Sequence, residues 1–272
     1  MPAPGVNGDS DARRIGLALT AATLAGILVW SLLDVGFSFS RLAQGASNLG
    51  TLAHDLFPPD LDPDLMATLA EALVETVQMA YLGTVIGAAL ALPLAVVAAR
   101  TLGPPLVAPV VRKLLAVIRT IPSLLWALVF VIMVGLGPLA GTLGLALYTL
   151  GYLGKLFYEA IEGVDPEVIE AVRSTGASRW QLARHAILPE AGNALLSQAM
   201  FVFEYNVRAS SILGFVGAGG IGFYLFRYMQ LFEYRKLATA LLLLLVAVLL
   251  IEGAGGLVRR RFLPEAGPTP AA

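Results

Sequence analysis

Apolar residues in this 272-residue chain are grouped in long runs that short charged stretches separate. A helix needs about 20 apolar residues to cross the ~30 Å hydrocarbon core of a bilayer, because its backbone polar groups must be bonded internally. About six runs approach that length, which predicts an all-α integral membrane protein. The predicted transmembrane helices cover residues 15–33, 76–99, 121–137, 139–154, 191–213 and 237–251.

Composition supports the membrane interpretation. Hydrophobic residues make up 57% of the chain and charged residues 14%, and the mean hydropathy of +0.78 is far above that of soluble domains. The chain has no cysteine, which excludes disulfides, thiolate metal ligands and thiol nucleophiles. The basic residues fall in short clusters beside the apolar runs, so no nucleic-acid-binding domain is indicated.

The placement of basic residues predicts the topology. Arg13 and Arg14 precede the first run and a triple arginine at 259–261 follows the last, so we expect both tails, 1–14 and 259–272, to be cytoplasmic. Arg100, Arg112, Lys113 and Arg119 also fall on the predicted cytoplasmic side. The exceptions on the predicted outer side are Arg227, Arg235 and Lys236. The first run is 19 residues long, more than the 7–15 of a signal-peptide core, which favours a retained helix over a cleaved signal.

Two segments between the apolar runs are polar. We expect residues 36–70, after a first transmembrane helix at 15–35, to form an external connector, because FPPDLDPD at 57–64 favours turns over helix. The remaining core, 71–258, contains a cytoplasmic loop at 155–190. That loop is longer than a simple connection between helices needs.

Two short helices are predicted within the cytoplasmic loop. Asp165 is a good N-cap for a first helix, which Gly176 ends, and a second helix starts at Ser178 and stops before Pro189. Taken alone, this pattern also fits an amphipathic hairpin at the membrane interface.

The order of residues in this loop resembles the EAA signature of bacterial ABC importer permeases. The chain departs from that signature at Val172 and Ala186, in both cases with one apolar residue for another. In that family the loop docks onto a separate ATPase subunit, and no GxxxxGK[ST] phosphate-binding motif occurs here. The resemblance therefore implies that ATP and magnesium are held by the partner subunit, with no cofactor on this chain. The implied coupling residues are Glu170, Ala171, Gly176, Ala177, Leu188 and Pro189.

A narrower resemblance covers the chain from residue 71 onward. FEYNVRASSILGFVGAGGIG at 203–222 and RTIPSLLWALVF at 119–130 resemble the permease subunit of phosphonate and phosphite ABC importers, of the type I, methionine-importer-like fold. The resemblance implies a homodimer in the bacterial inner membrane, two ATPase subunits, an external binding protein and a phosphonate-type anion as substrate. Phosphite or phosphate esters stay open as substrates.

The glycine run in this segment formally fits a dinucleotide-binding motif, GxGxxG. Such a site needs a preceding β-strand, whereas a predicted membrane helix precedes this run. We expect the glycines to form a backbone turn or gate at the external end of the fifth helix. They are Gly217, Gly219, Gly220 and Gly222.

Polar residues in the fifth predicted helix are the candidate substrate pathway. Ionisable groups within a membrane cost ~2.5–3.5 kcal/mol and therefore need an explanation. One interpretation is structural: Glu204 and Arg208, at i and i+4, neutralise each other while Asn206 bonds a neighbouring helix. In the other, Arg208 binds the anion. The pathway set is Glu204, Asn206, Arg208, Ser210 and Ser211.

Other functions stay open at this point. They are an ABC importer for another small solute such as an amino acid, an ion-coupled secondary transporter that uses Glu204, and an intramembrane hydrolase. For the last, His54 and His185 both lie outside the predicted spans, and no catalytic or metal-binding constellation is indicated.

Overall fold

The computed structural model describes residues 8–262, and within them the chain is helical, with no strand. The predicted tail residues 1–7 and 263–272 lie outside the described part. The chain divides into two compact units, one ending at Asp55 and one beginning at Leu56.

The first unit consists of helices α1 (Gly8–Asp34) and α2 (Phe39–Leu56). α1 contains the first predicted span, is long and apolar enough to cross a membrane, and is exposed from Arg13 to Asp34. Residues 36–70, which were predicted to form an external loop, are mostly helical, because α2 and the start of the next helix fill most of this range. Its external location stays a prediction. Apolar residues at 39, 42, 46, 49, 53 and 56 recur at helical spacing, whereas the proline-rich turn is confined to residues 57–62.

The second unit contains nine further helices within the described residues. A π-helical turn, Ala183–Ile187, joins α8 to α9, and a 3₁₀ turn, Gly214–Val216, follows α9. The helices are α3 (Pro63–Ala98), α4 (Ala108–Thr120), α5 (Ser123–Val134), α6 (Pro138–Glu162), α7 (Pro166–Ser174), α8 (Arg179–Leu182), α9 (Leu188–Leu213), α10 (Gly220–Gln230) and α11 (Tyr234–Phe262).

Helix α3 is the longest of the fold, with 36 residues. The Asp62 side chain caps it by accepting a hydrogen bond from the Leu65 N–H at 3.2 Å. The helix therefore begins 13 residues before the predicted start at Thr76. It takes in residues that were expected to belong to the external loop.

The third predicted span, 121–137, was wrong as a single crossing helix. α5 has 12 residues, about 18 Å, which is too short to cross the hydrocarbon core alone. It instead follows α4 across an 86° bend. The cause is Pro122, which forces Ile121 out of the helical region into an extended conformation, with φ −86° and ψ 121°.

Helix α6 lies at the centre of the second unit and packs against α3, α4, α5 and α9. Its approach to α3 is close, because a side chain at Gly87 of α3 would collide with Thr149 of α6. The main apolar core surrounds these helices and continues into the loop that follows α6, with buried residues such as Leu153, Phe157 and Ile187.

Two predicted helix ends were wrong. The helical conformation does not stop before Pro189, because the π-helical turn leads directly into α9. Pro189 lies in the first turn of α9, where a missing N–H is tolerated. The last helix does not end before Arg259 but continues to Phe262.

By length and apolarity, three described helices could each cross a membrane: α1, α3 and α11. Two bent pairs, α4 with α5 and α8–α9 with α10, could add two more. The fourth predicted span corresponds to α6, whose 25 residues, about 37 Å, are long enough to cross. The total of six stays a prediction.

Candidate translocation site and coupling loop

The loop at 155–190, which is predicted to be cytoplasmic, forms the two predicted helices. Asp165 caps α7 by accepting a hydrogen bond from the Glu167 N–H at 2.8 Å, and Gly176 ends the turn with a φ of +78°. At α8, Ser178 and Gln181 form a reciprocal capping box. The predicted starts of both short helices are confirmed.

This loop has an anchored face and an exposed face. Ile169, Leu182 and Ile187 are buried in the main core, which fixes α7 and α8 to the membrane helices. The six predicted coupling residues are exposed, except Ala177, which is half-buried. The loop therefore offers these residues to a partner while being held firmly to the fold.

An ionic cluster beside the loop was missed by sequence reasoning. Glu162, at the end of α6, bonds the Arg112 side chain of α4 and accepts from the Arg100 N–H at 2.6 Å. Arg112 also donates to the Ala98 carbonyl at 2.8 Å. The cluster ties the ends of α3, α4 and α6 together four residues before α7 begins.

The predicted ion pair between Glu204 and Arg208 does not form. Glu204 instead bonds Arg259 of α11 at 2.5 Å, and Arg208 lies 3.8 Å from Glu252 of the same helix. Both helices carry glutamate before arginine in sequence, so an antiparallel crossing places opposite charges face to face. This signal was present in the sequence, but the sixth span was predicted to end before Arg259.

The opposite face of α9 makes hydrogen bonds within the core. Asn206 is fully buried and donates to the hydroxyls of Thr84 (α3) and Thr149 (α6), each at 2.9 Å. Ser210 donates to the Thr76 carbonyl at 3.2 Å. The expectation that Asn206 bonds a neighbouring helix is confirmed.

A cavity of about 560 Å³ lies at the α4–α5 bend, next to α6 and α9. Of the five predicted pathway residues, only Arg208 lines it. Glu204 faces α11, Asn206 and Ser210 face the core, and Ser211 donates to the Arg208 carbonyl at 2.7 Å. The lining is Arg119, Thr120, Pro122, Ser123, Leu124, Tyr148, Tyr205, Arg208, Ala209, Ile212 and Leu213.

Arg119 is the second cation of this cavity and was not predicted as a site residue. It stands in the last turn of α4, and only the sharp bend after it brings that turn beside α9. Tyr148 of α6 and Tyr205 of α9 stack nearby, with ring centroids 6.0 Å apart. Two guanidinium groups and two phenols thus share one cavity.

The glycine run forms a tight backbone turn between α9 and α10, which meet at a 50° bend. Gly217, Gly219 and Gly220 have φ values of +84°, +81° and +68°, which side chains rarely adopt. Gly222 packs so close to the Ser211 carbonyl that a side chain would collide with it. Because helix α9 precedes the run, the dinucleotide interpretation is excluded, and the predicted turn is confirmed.

No group of three or more potential metal-ligating His, Asp or Glu side chains occurs within residues 8–262.

Residues 91–264 match the family of binding-protein-dependent transport system inner membrane components. The chain belongs to this family. It is the permease subunit of an ABC importer, a multi-pass protein of the inner membrane and not an enzyme, and ATP hydrolysis is carried by a separate subunit.

The permease is 38% identical to the phosphite transport system permease protein PtxC of Stutzerimonas stutzeri, over 91% of this chain and 86% of that one. It is also 38% identical to the phosphate-import permease protein PhnE of Mycolicibacterium smegmatis, over 76% of this chain and 39% of that one. Among solved structures it resembles the MetNI methionine ABC transporter in inward-facing conformations. That likeness has a TM-score of 0.67 and 26% identity, and covers 74% of this chain and 98% of that one. The fold is therefore that of a type I importer permease.

Proposed function

We propose that this permease forms the membrane pathway of an importer for phosphite, phosphonates or related tetrahedral phosphorus oxyanions. The observation that carries the proposal is the pair of guanidinium groups, Arg119 and Arg208, in one cavity of the membrane unit. Guanidinium groups bind such anions through paired, charge-assisted hydrogen bonds. The relatives named for phosphite and phosphate transport support the same class of substrate.

The proposed assembly contains two copies of this chain, two ATPase subunits and an external substrate-binding protein, with both chain termini in the cytoplasm. The ATPase docks onto the exposed face of the loop, through Glu170, Ala171, Gly176 and the Leu188–Pro189 pair. Because Ile169 and Leu182 anchor this loop in the core, movement of the ATPase is transmitted to α6 and α9. The glycine turn after α9 gates the end of the pathway that lies opposite the ATPase.

An importer for another small solute, such as an amino acid, is the second candidate, because the methionine transporter shares the fold. The lower identity of 26%, against 38% for the relatives named for phosphorus oxyanions, favours the first candidate.

Reconstitution in proteoliposomes tests the proposal. The permease is combined with its ATPase and binding protein, and ATP-dependent uptake of phosphite, methylphosphonate and methionine is compared. We expect accumulation of one or both phosphorus oxyanions and none of methionine. Accumulation of methionine alone would contradict the proposal, and native mass spectrometry of the same complex tests for two copies of the chain.

A further inference from the structure

We propose that Arg119 and Arg208 together form a transit site for the anion, and that Glu252 is the internal carboxylate which Arg208 exchanges for substrate. This inference rests on the proposed function and names the residues that would carry it out. Four features of the cavity support it.

The first feature is that Arg119 is not neutralised by the protein. Within residues 8–262 it forms no ion pair, although its cavity is lined largely by membrane helices. Its position at the end of α4 places its positive charge at the negative end of the helix dipole, which is favourable. Arg119 is exposed, so its guanidinium is accessible to an anion that enters the cavity.

The second feature is the loose pairing of Arg208. Its guanidinium lies 3.8 Å from the Glu252 carboxylate, beyond hydrogen-bond distance, and the two side chains are 48% and 58% exposed. Exposed pairs of this kind contribute little to stability. An incoming anion can therefore replace Glu252 as the partner of Arg208 at little cost.

The third feature is the neutral donors around the two cations. The phenols of Tyr148 and Tyr205 and the hydroxyl of Ser123 can each donate a hydrogen bond to an oxygen atom. Ser123 is also the first residue of α5, whose positive dipole end therefore adds to the field of the two arginines. Every charged or polar side chain that lines the cavity can act as a donor.

The fourth feature is the match between these donors and the substrate class. A tetrahedral oxyanion such as phosphite offers three oxygen atoms, which two guanidinium forks and a hydroxyl can bind together. A pathway must also release what it binds. Glu252 serves this purpose, because its carboxylate competes for Arg208 and keeps the binding weak.

The test uses the complete complex in proteoliposomes, with phosphite and methylphosphonate as probes. R119Q and R208Q remove one guanidinium each, R119K and R208K keep the charge but lose the fork, and R261Q is a matched control on an exposed arginine of α11. We expect each glutamine variant to lower the maximal uptake rate by about 10- to 100-fold, since a charged hydrogen bond contributes about 1.5–3 kcal/mol. The half-saturating concentration stays at the wild-type value because the external binding protein sets it.

Lysine variants distinguish binding from packing. We expect R119K and R208K to transport faster than the glutamine variants but slower than wild type, and R261Q to transport at the wild-type rate, with uptake normalised to the yield of assembled complex for every variant. Uptake by assembled R119Q within twofold of wild type would overturn the inference. So would equal rates for R119Q and R119K, which would indicate a packing role. If R119Q does not assemble, the test depends on R119K. Uptake by R119K at the wild-type rate would overturn the inference, because lysine lacks the guanidinium donors.

The wild-type complex separates this inference from the proposed function. If wild type accumulates neither phosphite nor methylphosphonate, the proposed function fails before any variant is compared. If wild type accumulates them and R119Q does so equally well, the function stands and the transit site is wrong.

Discussion

Helices α9 and α11 are joined by two ion pairs that differ in the distance between their charges and in their exposure. Glu204 and Arg259 are 2.5 Å apart, with side chains 9% and 33% exposed. Arg208 and Glu252, one turn along α9, are 3.8 Å apart and about half exposed. The first pair is closed, with its carboxylate largely buried, and the second is open and exposed.

This difference indicates two roles for similar residues. A closed pair with a buried carboxylate holds two helices in one register, because separating the two charges would leave the buried carboxylate uncompensated. An open pair next to a cavity contributes little stability, so its charges are free to act on a ligand. Gly255 sharpens the contrast, since a side chain there would collide with the Glu204 carboxylate and prevent the close contact that the first pair needs.

Breaking the closed pair has the largest expected effect. R259Q leaves Glu204 buried beside Gly255 without its cation, and we expect a loss of about 3 kcal/mol in the free energy of unfolding, at the lower end for buried pairs because Arg259 is one-third exposed. The measurement is the thermal unfolding midpoint and yield of the purified complex.

The double variant E204Q/R259Q is the control. Replacing both charges by neutral amides removes the uncompensated carboxylate, so most of the lost stability should return. A double variant as unstable as R259Q would show that packing around Arg259, and not the charge of Glu204, holds the two helices together.

An intermediate effect is expected on the opposite face of α9, which fixes the helix against α3 and α6. N206L removes the hydrogen bonds to Thr84 and Thr149. Each bond of this kind between membrane helices contributes about 0.6 kcal/mol to stability. We expect a loss of about 1 kcal/mol in stability with transport retained, measured by thermal unfolding and uptake. A loss of transport without a loss of stability would instead assign Asn206 to the pathway.

The sequence predicted local features well. The caps at Asp165 and Ser178 and the glycine turn at 217–220 depend on neighbouring residues only, and all are present. The membrane-spanning character of α1, α3 and α11 follows from apolar length, which is also a local property.

Partners across helices could not be predicted with the same ease. Glu204 and Arg208 had the right spacing for a pair within one helix, but the competing carboxylate and guanidinium on α11 lie about 50 residues away. Arg119 was missed because its place in the cavity depends on the 86° bend at Pro122, and a proline in a sequence does not reveal the direction in which the chain turns.

The smallest effect on stability is expected for the open pair, and it is the sharpest test of the comparison. E252Q removes the partner of Arg208, and we expect the free energy of unfolding to change by less than about 1 kcal/mol, because the pair is half exposed. Uptake should respond more strongly than stability, since Arg208 then holds the anion without a competitor and release slows several-fold. The readouts are thermal unfolding and the maximal rate of phosphite uptake, with R261Q as the unaffected control. A variant as unstable as R259Q would mean that both pairs are structural, whereas a changed uptake rate at unchanged stability would support the exchange of Glu252 for the anion.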